Sequence, residues 1–382
     1  MDADDPTTTA AGRASGRRSA RPEDPRDTLA SPRPPTRRGQ RTPAGRGPRW
    51  VLRSDPYARL VLAVYATAPN PSDPLAALEI GDRAEPEVPD GWTTVSVKAA
   101  SLNHHDLWTL RGVGIAKDRF PMILGCDAAG LDADGAEVVV HGVIGDPSWV
   151  GDETLDPSRS LLSERHPGTF AERVAVPRRN LLPRPAELST VEAACLGTAW
   201  LTAYRMLFTS SGLRPGDTVL VQGSSGGVAS ALIALGRAAG FRVWATGRTE
   251  AKRVVALELG AHEAFESGGR LPDRVDAVME TVGEATWAHS LRVLKLGGRI
   301  VVSGATTGAN PPADLARVFF RQLSVIGSTM GTRDELTALM SLLAVTGVRP
   351  TIDSTLPLAR AAEGLAKLAA GDVTGKIVLT LD

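Results

Sequence analysis

Thr218-Val219-Leu220-Val221-Gln222-Gly223-Ser224-Ser225-Gly226-Gly227-Val228-Ala229 is the stretch from which the fold is read. A β-favouring run enters a glycine-rich turn, and small and apolar residues continue to Ala239 before Gly240. Strand, tight loop and helix in that order form the phosphate-binding turn of a βαβ unit. Gly223 permits the sharp turn and Gly226 lets the backbone approach a pyrophosphate. The small Ala229 lets the helix pack close to the sheet. The anion then rests on the helix N-terminus, where free N–H groups and the helix dipole favour negative charge. Gly223, Ser224, Ser225, Gly226, Gly227 and Val228 are therefore candidate cofactor-binding residues. A bare glycine triplet would say little; its place at a strand-to-helix junction carries the reading.

Outward from this loop the alternation continues. A strand over 241–246 precedes a helix over 250–259, and further strands are expected at 277–280, 299–303 and 323–327. Strands alternating with helices predict an α/β doubly wound parallel sheet. Upstream, short strands at 59–65, 93–100, 138–140 and 173–176 read as a compact, mostly β domain reaching about residue 198. Residues 149–166 are polar and irregular, a surface loop, and 190–208 reads as one helix. A helix over 333–346 and a strand over 376–381 complete the chain.

The tip of the strand after the glycine loop bears on which dinucleotide binds. An NAD site places Asp or Glu there to hold the ribose 2′-OH. Here it reads Ala245-Thr246-Gly247-Arg248-Thr249, with Lys252 one turn further. No acid is present to repel a 2′-phosphate, and Arg248 and Lys252 would attract one. The expected cofactor is NADP(H), with Gly247, Arg248 and Lys252 beside its phosphate. The plain alternative is that Arg248 is a solvated loop cation.

The 382 residues carry 43 basic and 43 acidic side chains. This balance argues against a nucleic-acid partner. It hides a split, because the first 49 residues hold eleven arginines against six acids, leaving +5 there and −5 in the rest. With eight prolines and almost no large apolar residue, 1–50 reads as a disordered Arg/Pro-rich tail. A transit peptide is the other reading, opposed by the acidic start Asp2, Asp4 and Asp5. Two cysteines, Cys126 and Cys195, exclude a disulfide scaffold and a Cys-rich zinc module. No apolar run is long enough to span a bilayer and none forms a secretory h-region. A cytoplasmic location without a membrane partner is expected.

Several further motifs agree in order and spacing. Asn103-His104-His105-Asp106 precedes Arg111-Gly112, and Pro121 leads into Gly125-Cys126-Asp127-Ala128-Ala129-Gly130. Gly168-Thr169-Phe170-Ala171-Glu172, Leu201-Thr202-Ala203-Tyr204 and Gly375-Lys376-Ile377-Val378-Leu379 follow. With the glycine loop, this set resembles the medium-chain dehydrogenase/reductase superfamily, in its zinc-free, quinone oxidoreductase-like branch. The resemblance covers about 57–382. It implies a GroES-like catalytic domain over 55–199, completed by 329–382, and a Rossmann domain over 200–328.

It also implies an answer about metal. Zinc-dependent members bind the catalytic ion through a Cys, a His and a second Cys, and these positions fall on Asn103, Cys126 and Thr198. The loop that would carry a structural zinc, 149–166, has no cysteine. No metal is therefore expected; an unorthodox site from His104 or His105 with Cys126 and Asp127 is the exception to exclude. Without a Lewis acid, a small-molecule quinone or α,β-unsaturated carbonyl is the easier substrate for hydride transfer.

The catalytic candidates are Asn103, His105 and Asp106. His105 falls where zinc-dependent members place a hydroxyl proton relay. Asn103 would orient the carbonyl or the nicotinamide, or cap a turn. Asp106 would serve as an acceptor behind them. Thr202 matches a position near the nicotinamide, and Lys376 matches a basic position that reaches the pyrophosphate. The resemblance further implies a homodimer formed through the strand near 323–326. Two other readings compete: a zinc alcohol dehydrogenase with altered ligands, and a non-catalytic NADP(H)-binding protein.

Overall fold

The computed structural model describes residues 59–381, so the expected tail at 1–50 lies outside the described residues. Six parallel strands form one sheet in the spatial order Glu263–Glu266, Arg242–Gly247, Thr218–Val221, Val275–Glu280, Leu294–Val302, Ser324–Gly327. The chain begins in the middle, works to one edge, then returns and works to the other. This is the doubly wound Rossmann order, and its switch point lies between Thr218–Val221 and Val275–Glu280.

Burial explains why these segments are strands. All four residues of Thr218–Val221 are buried. Val219 and Val221 face one core with Ile233, Val243 and Met279, while Leu220 faces the other with Trp244, Val278 and Ile300. Both sides of the sheet are covered, which suits an unbroken apolar run. Each such side chain contributes about 1.5–3 kcal/mol by leaving water. Helices Gly227–Ala238, Glu250–Glu258 and Glu284–Val293 are the crossovers. Ser324–Gly327, the strand expected in a dimer, is the outer edge of this sheet and leaves Val325 half exposed.

A second, mostly antiparallel sheet runs Leu181–Pro183, Glu137–Val140, Asp127–Leu131, Trp92–Ser101, Lys376–Thr380, Ile352–Pro357, with Arg173–Pro177 also on Trp92–Ser101. Leu60–Ala66 pairs with Leu78–Ala84 and Met122–Ile123 in a smaller sheet. The strand from Lys376 pairs its Val378 with Ser101, so the far end of the sequence lies beside its first third. These strands enclose their own core around Phe170, Leu124 and Leu110.

Two segments differ from expectation. The stretch read as one helix over 190–208 is broken into Thr190–Ala193, a π-helical turn Leu196–Trp200, Leu201–Tyr204 and a second π-turn Arg205–Ser210. The first π-turn sets Gly197 against Asp127, where an added Cβ would come within 2.9 Å of Oδ1. The 149–166 loop is more ordered than its composition suggests, since Ser160–Leu161 pairs with Val143–Ile144.

Candidate active site

The glycine loop leaves the Thr218–Val221 strand at the switch point. Gly223 has φ of +86°, the left-handed region a side chain resists. Gly226 stands at the N-cap of Gly227–Ala238, and no side chain caps that helix. Its first N–H groups are thus left for an anion. A Cβ added at Gly226 would meet nothing within 4 Å, so the loop faces open space there. Ser224 is buried, and its Oγ has no hydrogen-bond partner. An orphaned hydroxyl beside uncapped amides fits a phosphate-bearing ligand.

The last segment of the second sheet meets this loop. Gly375 N donates to Ser225 O at 2.7 Å. A Cβ on Gly227 would press to 2.8 Å from Lys376 Cδ. Lys376 then runs inward. Its ammonium donates to Asn103 Oδ1 at 2.6 Å and to Leu102 O at 2.7 Å, and lies 3.5 Å from Asp127 Oδ2. The resemblance implied a lysine reaching the pyrophosphate; in the structure the main chain of Gly375 touches the loop and the Lys376 ammonium points to Asn103. The reason is Asp127, a fully buried carboxylate that needs a counter-charge.

Asp127 is the hub of this cluster. Asn103 Nδ2 donates to its Oδ2 at 2.8 Å, as does Ser101 Oγ at 2.8 Å. Thr198 Oγ1 donates to Oδ1 at 2.6 Å. The sequence places Asp127 in a motif without naming its partners, because those partners come from distant segments.

Asp106 stands behind Asn103. It opens the helix His104–Arg111 by accepting from Asn103 N at 2.8 Å, and it accepts from Gly125 N at 3.1 Å. Burial pushes its carboxyl up to about 7, against the pull of those amides and of Lys376. His105 is half-buried, and its Nε2 lies 3.1 Å from Ser163 Oγ. Burial holds its pKa below the ordinary histidine value, although Glu164, the Leu162 carbonyl and Asp127 act the other way. Ser163 is fully buried with φ of +65°, a strained backbone for a residue with a side chain. Nothing in the polar 149–166 segment singles it out.

The remaining candidates lie at the edges of this arrangement. Thr202 is buried in Leu201–Tyr204, whose helical turn packs on Gly227–Ala238. Gly247 ends its strand and is buried; Arg248 after it is exposed. Lys252 Nζ donates to Gly371 O at 2.9 Å. Arg253 adds a third cation here, with Nη1 on Gly247 O at 3.3 Å.

The residues at the zinc-ligand positions do not fit a zinc ion. Asn103 and Thr198 spend their polar atoms on Asp127 and Lys376. The buried Cys126 thiol donates to Leu162 O, and burial raises its pKa well above the ordinary value, away from the thiolate that zinc takes. A buried ammonium lies against Asn103 at the centre of the cluster. Among the described residues, no group of three or more His, Cys, Asp or Glu side chains could hold a metal. Among the same residues no helix is long and apolar enough to cross a membrane.

Comparison with known proteins agrees with this architecture. Residues 89–186 match the alcohol dehydrogenase GroES-like domain, and residues 227–345 match the zinc-binding dehydrogenase family. A solved NAD-dependent alcohol dehydrogenase superposes with a TM-score of 0.77 at 32% identity, covering 84% of this chain and 100% of that one. A quinone oxidoreductase of Homo sapiens is 29% identical over 78% of this chain and 92% of its own. A crotonyl-CoA carboxylase/reductase of Cereibacter sphaeroides is 28% identical over 75% of this chain and 79% of its own.

Proposed function

The chain belongs to the medium-chain dehydrogenase/reductase superfamily of oxidoreductases, and on that premise we propose that it is an NADPH-dependent reductase of quinones or α,β-unsaturated carbonyl compounds, working without a catalytic metal. The observation that carries this reading is the Asn103–Asp127–Lys376 cluster. Of the three positions that carry zinc ligands in zinc-dependent members, Asn103 and Thr198 are spent here on the buried Asp127 carboxylate, and an ammonium lies against Asn103. Two of the relatives support this reading by name, since a quinone and a crotonyl thioester are both conjugated acceptors, while a third is an alcohol dehydrogenase.

When bound, the cofactor supplies the hydride. The chain's residues divide the rest of the work. The amides of the Gly223–Val228 loop and the helix they open into hold the pyrophosphate. Arg248 and Lys252 attract the 2′-phosphate, and Thr202 borders the nicotinamide end. A conjugated acceptor gathers negative charge on its oxygen as hydride arrives at carbon. A cation fixed in a water-poor site stabilises that charge through space without having to reorganise, and the Lys376 ammonium, whose own N–H groups are directed at Asn103, Leu102 and Asp127, is such a charge. His105 supplies the proton, with the Ser163 hydroxyl within hydrogen-bond reach.

The test is NADPH oxidation by metal-analysed protein against a panel of quinones and enals. Turnover by zinc-free protein is the expected result. Cofactor binding without turnover of any acceptor would sink the enzymatic reading, and activity that needs stoichiometric zinc would sink the metal-free one. If His105→Ala left turnover unchanged between about pH 6 and 8, His105 would lose its role as proton donor.

A further inference from the structure

Beneath the glycine loop lies a buried line of polar side chains to which the reaction above assigns no role. Glu280 ends its strand with no exposed surface. Its Oε1 accepts from Val282 N at 2.8 Å, Gly283 N at 3.0 Å and Thr286 Oγ1 at 2.9 Å. Its Oε2 accepts from Ser290 Oγ at 2.6 Å. Ser290 Oγ accepts in turn from Gln222 Nε2 at 2.9 Å, and the same nitrogen lies 3.0 Å from His289 Nδ1. Gln222 Oε1 accepts from Thr246 Oγ1 at 2.9 Å, and Thr246 Oγ1 accepts from Gly223 N at 3.1 Å. His289 Nε2 lies 2.9 Å from Gly269 O, which places the ring proton there and leaves Nδ1 to accept.

Every bond in this line points one way, from the Gly223 amide through Thr246, Gln222 and Ser290 to the Glu280 carboxylate. Hydrogen bonds aligned head to tail polarise one another, most strongly where water is absent. The line crosses the carboxyl ends of three neighbouring strands, at the switch point where the sheet's crevice opens. The second arm of the carboxylate holds Val282 and Gly283, which begin the loop on the opposite side of that crevice. The two loops are in contact range, since a Cβ on Gly223 would lie 3.8 Å from Val282 Cγ2. A fully desolvated carboxylate is costly unless its partners satisfy it, and apolar residues would fill the same space more cheaply. What this arrangement adds is the placement of two loops by one anchor.

We propose that Glu280 is a positioning residue of the cofactor site. Through Ser290, Gln222 and Thr246 it fixes the Gly223 amide, and directly it fixes the facing loop, so the dinucleotide meets a crevice already set. Ordering before binding spares affinity that would otherwise go to ordering the loop. The inference rests on the dinucleotide reading of the loop.

Thr246 is the place to test it, because Thr246→Val keeps the side-chain shape and leaves every Glu280 contact intact. NADPH dissociation constants are measured by fluorescence titration of the full chain without substrate, alongside apo melting curves. Thr246→Val weakens binding roughly tenfold, and its apo melting midpoint falls by only a few degrees, as expected when the Gln222 oxygen and the Gly223 amide lose one partner. Thr246→Ser, which returns the hydroxyl, restores wild-type affinity. Glu280→Gln weakens binding at least as much, since whichever oxygen its amide nitrogen replaces, two hydrogens then face groups that themselves donate; should it not fold, Thr246→Val decides alone. A wild-type dissociation constant in Thr246→Val, whether or not its melting midpoint falls, overturns the proposal and leaves the line as plain core. A wild-type protein that binds neither NADPH nor NADH overturns instead the dinucleotide reading, and this inference with it.

Discussion

At the glycine loop the groups offered to a ligand are main-chain amides, an uncapped helix end and one orphaned hydroxyl at Ser224. Across the crevice, at Asn103, Asp127, Thr198 and Lys376, the groups are side chains, and each already grips another. The loop end is open and waits for its partner. The cluster end is closed and supplies its own counter-charge. The difference teaches where each side keeps its charge. The loop turns no charged side chain toward its ligand, because a pyrophosphate brings the anion, and the Glu280 carboxylate beneath it is spent on main chain and neighbouring side chains. The cluster carries both signs itself, in Asp127 and Lys376.

The sharpest way to break this contrast is to remove one sign from the closed end. Lys376→Met leaves Asp127 buried and uncompensated, which costs about 3–5 kcal/mol. Urea denaturation should register that loss as a large drop in midpoint. A midpoint close to wild type would mean that the cluster is not a compensated ion pair. The double variant Lys376→Met with Asp127→Asn should recover part of the loss, because the two charges go together.

The open end should respond through affinity and not stability. Arg248→Asp places an acid at the strand tip and removes an exposed cation. NADPH should bind roughly tenfold more weakly relative to NADH, with an unchanged melting curve. Equal loss for both cofactors, or loss for neither, would show that Arg248 does not read the 2′-phosphate.

A last effect concerns pH. Asp106 has its carboxyl raised to about 7 from an ordinary value of 3.8, so its proton is held more tightly in the folded chain. Its contribution to stability is complete below the ordinary value and is lost as pH rises through about 7. The wild-type denaturation midpoint should therefore be lower at about pH 8 than at about pH 5, and Asp106→Asn should narrow the gap. A midpoint that rises over this interval, with the variant parallel to it, would exclude Asp106 as the cause.

The same contrast explains what the sequence reveals. The loop is legible because its parts are contiguous: Val219 to Ala229 contain strand, turn and helix start in order. The cluster is not, because Ser101 with Asn103, Asp127, Thr198 and Lys376 come from four separate stretches of chain, and only a fold brings them within hydrogen-bond reach. Asp127 sits in Asp127–Leu131, a strand of Ala and Gly whose propensity says nothing, held by burial on both faces. Residues 190–208 read as one helix because their apolar pattern is helical. The π-turn at Leu196–Trp200 answers to Gly197 and Thr198 meeting Asp127, a tertiary demand invisible in the local pattern. One signal was available for the line beneath the loop. Glu280 is the acid that closes Val275–Glu280, a strand otherwise buried nearly throughout, and a carboxylate in such a place needs partners.

The pairing of Lys376–Thr380 with Trp92–Ser101 has a consequence for the order in which this molecule is made. Asn103 and Lys376 are 273 residues apart in sequence. At about 5–20 residues per second, a ribosome takes tens of seconds to travel that distance. The parallel sheet can assemble strand by strand as the nascent chain lengthens, since its neighbours are close in sequence. The strands around Asp127 wait through that whole interval with an unbalanced carboxylate and an open place in their sheet. Synthesis thus forms the glycine-loop side of the crevice first, and the cluster around Asp127 closes only when Lys376 emerges.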